Sequence, residues 1–106
     1  MDKLEIAMGL IAGAGDSRSY CMEAIDSARC GDFDEARDLI GKAVRAMVET
    51  HDIQTDLIRD EIEGRGEAVS LLMVHAQDHL NLALIMRDIA EEFITLYERI
   101  GRLEVK

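Results

Sequence analysis

Ser70-Leu71-Leu72-Met73-Val74-His75-Ala76-Gln77-Asp78-His79-Leu80, continued by Asn81-Leu82-Ala83-Leu84-Ile85-Met86-Arg87-Asp88-Ile89-Ala90, is the most apolar stretch of this 106-residue chain. From Ala68 to Ala90 fifteen of 23 residues are apolar, too many for the single stripe of a surface helix. Placed at about 100° per residue, the solvent-like stripe is narrow: Ser70, Gln77, Asn81 and Asp88. A broad apolar face holds Val69, Leu72, Ala76, Leu80, Ala83, Ala90 and Ile94. A second stripe runs Leu71, Val74, Asp78, Leu82, Ile85, Ile89 and Leu96 with heptad-like spacing. One face serves a core within the chain. The second predicts that copies of the chain associate through this helix.

Outward from that stretch, two glycine breaks divide the chain. At Cys30-Gly31-Asp32, Gly31 suits a helix C-terminus and Asp32 caps the next helix, with Glu35 three residues on. At Glu63-Gly64-Arg65-Gly66, two glycines sit in a charged patch. The chain has no Pro, 48% apolar and only 4% aromatic residues, a composition that favours helix over sheet. The expectation is a single all-α domain over 1–106, with helices at about 2–30, 33–62 and 67–104. Short connections make sequential helices antiparallel, giving a three-helix bundle. The first helix offers Leu4, Met8, Ile11, Met22 and Ile25 as its apolar positions, and Gly9, Gly13 and Gly15 as sites of close packing. The second offers Ala36, Ile40, Ala43, Met47, Gln54 and Ile58, with His51 on that stripe as a core or interface histidine.

The net charge is −10, from 22 acidic and 12 basic residues. That argues against nucleic acid or an anionic membrane and for steering of a basic protein partner. Met1-Asp2-Lys3-Leu4-Glu5 begins a helical pattern directly, so no secretory leader is expected, and no apolar run reaches membrane-spanning length. On one helix Cys21 and Cys30 would lie roughly 13 Å apart, too far for a disulfide. They are expected as free thiols in a reducing cytoplasm, acting as small buried hydrophobes.

The chemistry concentrates in Val74-His75-Ala76-Gln77-Asp78-His79-Leu80. His75 and His79 lie one turn apart on one face. A zinc site on that pair lacks the Glu of the protease motif and an evident third ligand. A di-metal carboxylate site needs Glu three residues before His, where Val48, Leu72 and Ala76 stand. A neutral imidazole can instead accept a phosphoryl group, which needs little beyond positioning and hydrogen-bond donors. With no phosphate-binding glycine loop, the donor would be another protein. Spacing alone does not rank this above a structural or weakly metal-binding histidine pair. Asp78 breaks the apolar stripe. Copies of it about a symmetry axis would repel unless they shared a cation such as Mg²⁺; otherwise it is exposed at one end of the seam.

Ser70 to Leu80 closely resembles the active-site signature of the lactose/cellobiose-type (also diacetylchitobiose-type) enzyme IIA family of the phosphoenolpyruvate-dependent sugar phosphotransferase system. The resemblance extends to Gly15-Asp16-Ser17-Arg18-Ser19, Met22-Glu23-Ala24-Ile25, Gly31-Asp32-Phe33 and His51-Asp52-Ile53-Gln54-Thr55. It implies a homotrimer forming a nine-helix bundle. It implies that His75 takes a phosphoryl group from phospho-HPr and passes it to enzyme IIB, for uptake of a β-disaccharide the subunit never touches. It further implies a hydrogen-bonding role for His79, and one divalent metal ion per trimer, Mg²⁺ by expectation, held by Asp78. The competing reading is a non-enzymatic helical interaction or metal-binding module using His75, His79 and His51.

Overall fold

Three capped helices account for almost the whole chain. The computed structural model describes residues 2–105; Met1 and Lys106, the ends of the domain expected over 1–106, lie outside them. The elements are α1 (Lys3–Arg29), α2 (Phe33–Ile62) and α3 (Leu71–Glu104). Each begins at a side chain that accepts the backbone N–H three residues on: Asp2 from Glu5 at 2.8 Å, Asp32 from Glu35 at 3.2 Å and Ser70 from Met73 at 3.1 Å. Such caps satisfy amide donors that the first turn leaves free. Gly31 (φ 84°) and Gly64 (φ 81°) occupy the left-handed region after α1 and α2, where a side chain would be strained.

The third helix starts at Leu71, not at 67 as expected. Ser70 is extended (φ −113°, ψ 153°) and its hydroxyl caps the helix, so residues 67–70 stay outside. The shift brings His75 into the second turn of α3.

Helix α1 packs extensively against both others, while α2 and α3 meet along a sparser seam. The bundle measures 61 × 21 × 20 Å. Lys3 Nζ pairs with Glu67 at 2.9 Å and donates to Ala68 O at 3.5 Å, so the starts of α1 and α3 lie together. Sequential helices are antiparallel, as expected.

The buried face of α1 differs from expectation. Its buried residues are Ala7, Leu10, Ala14, Ser17, Cys21, Ala24 and Ala28, a small-residue heptad stripe, whereas Leu4, Met8 and Met22 are exposed. Nine of the sixteen buried apolar side chains described are alanines. Alanine lets helices approach closely, and Leu10 is the one large aliphatic side chain of α1 that is fully buried. Gly13 shows the close approach directly: a Cβ there would fall on the buried Thr50 hydroxyl. Gly9 and Gly15 have open space instead, so close packing explains only the middle glycine. Ser17 Oγ donates to Ala43 O at 3.0 Å in the same α1–α2 contact.

On α2 the burial of Ala36, Ile40, Ala43 and Met47 agrees with the stripe read from sequence. Below Met47 the buried face turns to Thr50, with Ile53 and Leu57 partly covered, so Ile58 is exposed and His51 is exposed rather than in the core. Cys21 is buried and Cys30 exposed, both unpaired. Cys30 is the C-cap of α1, where the chain turns away from the core.

Candidate functional site

Helix α3 buries one face and leaves another bare. Ala76, Leu80, Ala83, Ala90 and Ile94 are buried, five of the seven residues assigned to the core face; Leu72 is partly exposed and Val69 precedes the helix. The second stripe is uncovered: Leu71, Val74, Leu82, Ile85, Ile89 and Leu96 are all exposed, Leu82 and Ile85 at 55%. Burying a Leu or Ile side chain is worth about 1.5–3 kcal/mol, so this row is a large unused driving force within one chain. Asp78 sits exposed inside it. Among the described residues no cation lies within ion-pair reach of its carboxylate.

His75 and His79 lie between the buried face and the bare one. The helical repeat stacks them, and their rings meet edge to face with centroids 4.6 Å apart at 89°. The two Nε2 atoms are 3.1 Å apart, so one ring donates N–H to the lone pair of the other. His75 is exposed and His79 half-buried. The His75 ring opens into a shallow concavity walled by Leu71 and Leu72. A nucleophilic nitrogen is thus reachable by a docking protein, in an apolar setting, about 6 Å of helix rise from the positive end of the α3 dipole.

Gln77, assigned from sequence to a solvent stripe, is half-buried and accepts a hydrogen bond from Gln54 Nε2 at 2.7 Å. The signal that could have found this pair is Gln54 itself, a polar residue on an otherwise apolar stripe of α2. Within a single chain no three His, Cys, Asp or Glu residues among those described converge to hold a metal ion. Among the described residues of one chain, His51 does not join His75 and His79 in such a group. Among the described residues no helix is long and apolar enough to cross a membrane.

A family model described as the lactose/cellobiose-specific IIA subunit of the PTS system matches residues 5–98. The chain belongs to this family. It is 44% identical over 96 residues to the lichenan-specific phosphotransferase enzyme IIA component of Bacillus subtilis, covering 91% of this chain and 87% of that protein. The crystal structure of the cellobiose-specific enzyme IIA from Bacillus anthracis superposes with a TM-score of 0.90 at 39% identity, over 96% of this chain and 94% of the other. The IIA chain in the solution structure of the chitobiose IIA–HPr complex of Escherichia coli superposes with a TM-score of 0.81 at 34% identity, over 95% and 98% of the two chains. The family's members are phosphotransferase components of sugar uptake, and the three-helix fold is the one their solved structures share.

Proposed function

We propose that His75 is the phosphoryl acceptor of this IIA subunit, loaded by phospho-HPr and unloaded onto enzyme IIB in the cytoplasm during uptake of a β-disaccharide. The observation that carries the reading is the accessible His75 ring, hydrogen-bonded to His79 and open to a concavity. The lone pair of a neutral His75 nitrogen attacks phosphorus as the donor's P–N bond breaks; in a second in-line displacement a nucleophile of enzyme IIB attacks phosphorus as the P–N bond to His75 breaks, leaving the imidazole neutral again. His79 accompanies this step. Its Nε2, 3.1 Å from His75 Nε2, can in its N–H tautomer donate to oxygens on a phosphoryl group carried there once the two rings part. The apolar walls from Leu71 and Leu72 suit a transient docking surface, and the chain's negative charge steers a basic partner toward it.

The bare face of α3 supports a homotrimer with three α3 helices about one axis, a nine-helix bundle. In that arrangement three Asp78 carboxylates meet. An all-oxygen donor set of that kind fits a hard divalent ion such as Mg²⁺, which would neutralise their repulsion. Among the described residues Asp78 makes no ion pair within the single chain, as a shared site requires.

The test is phosphoryl uptake by purified His75→Ala from phospho-HPr. The expected result is complete loss of labelling with the oligomer unchanged in size. Retained labelling overturns the assignment.

A further inference from the structure

Among the described residues two side-chain hydrogen bonds join α2 to α3. Gln54 donates to Gln77 at 2.7 Å, and Arg37 donates to Glu98 at 2.6 Å. The second lies 21 residues further along α3, roughly 32 Å away, so the first is the one polar tie at the His75 end. On the other side α3 meets α1 there through Ala7, Leu10 and Ala76. Ile6, Ile11, Ile53, Leu57 and Met73 are partly buried against this cluster. Apolar contacts of this kind are non-directional, whereas a hydrogen bond fixes the two side chains it joins in one orientation.

The geometry points to Gln54 as a positioning residue: by holding Gln77 it sets the rotation of α3 that aims the His75–His79 pair. Gln77 is two residues from both histidines, so all three turn with one helical segment. Histidine rings lie about 6 Å from the helix axis, and a turn of about 20° carries them about 2 Å. A misplacement of about 1 Å can cost in-line transfer up to about 100-fold. The inference rests on His75 being the acceptor, but its structural half does not.

The experiment compares Gln54→Leu and Gln54→Glu in the full-length oligomer, reading ¹⁵N ring signals of His75 and His79 together with transfer from phospho-HPr. In Gln54→Leu the ring signals shift and kcat falls about tenfold, while KM for phospho-HPr stays within about twofold. In Gln54→Glu the carboxylate accepts from the turned Gln77 amide, and both ring signals and kcat return toward wild type. If Gln54→Leu fails to fold, the double variant Gln54→Met, Gln77→Met keeps chain length with apolar ends and shows the same ring shift. Unmoved ring signals in a folded variant, or identical behaviour of the Leu and Glu variants, overturn the proposal. Failure of the acceptor assignment shows separately, as labelling that survives His75→Ala while the ring signals still answer to Gln54.

Discussion

The inner and outer faces of α3 are both apolar, yet they are built differently. The inner face is Ala76, Leu80, Ala83, Ala90 and Ile94, mostly small and wholly buried within the chain. The outer face is Leu71, Val74, Leu82, Ile85 and Ile89, uniformly large and left in solvent. Small residues make a thin, close-packed bundle. Large ones leave apolar area in solvent, which the proposed trimer would cover. On that proposal one helix separates folding from assembly, and the His75–His79 pair lies on the border between the two faces.

The sharpest test of that division pairs Leu80→Ala with Leu82→Ala. Leu80 is fully buried, so its truncation is expected to cost about 2–5 kcal/mol of folding stability by urea denaturation. Leu82→Ala is expected to leave the isolated subunit's stability within about 0.5 kcal/mol and to raise the concentration at which the oligomer dissociates in sedimentation. Equal effects on both measurements would erase the distinction.

Next in size is Asp78→Leu, which makes the outer face continuously apolar. The expected outcome is an oligomer more stable by about 1–4 kcal/mol toward dilution, with the divalent ion lost from about one per trimer to none by elemental analysis. An unchanged metal content would move the ion elsewhere.

The smallest effect contrasts the two thiols. Cys30, exposed, is expected to react at least about tenfold faster with a thiol reagent at neutral pH than Cys21. Burial pushes the Cys21 thiol up from the ordinary range, with nearby Glu91 adding to it and Arg87 opposing. The native state thus holds that proton more tightly than the unfolded chain. Its stabilising contribution is full below the unfolded thiol's pKa and declines as pH rises from there toward the folded value. A Cys21→Ala variant is expected to flatten the fall in stability above about pH 8.5.

Much of this was legible along the chain because it is encoded locally. Gly31 and Gly64 mark left-handed turns, and Asp32 caps its helix, since these choices depend on a few adjacent residues. The two faces of α3 and the stacking of His75 on His79 follow from helical periodicity. The buried face of α1 was misread because hydrophobicity ranks Leu4, Met8 and Met22 above Ala7, Ala14 and Ala24, whereas closeness of approach selects the alanines. Of the two places expected for His51, core or interface, the core is excluded for a related reason: the buried face of α2 turns to Thr50 where Gly13 crosses it, and His51 stays on the surface of the chain. Ser70 was passed over as a cap because the apolar residues before it continue the helical pattern.

By itself the sequence determined three helices, their ends at α1 and α2, a second apolar face on α3, and a histidine pair one turn apart, since backbone propensity and a 3.6-residue repeat need no distant contacts. Only the tertiary structure decided which face of α1 is core, that Gln77 is held by Gln54 rather than by water, and that the His75 ring opens into a concavity. Those depend on how closely two helices approach and how each is rotated against the other, and side chains far apart in the chain set both by meeting.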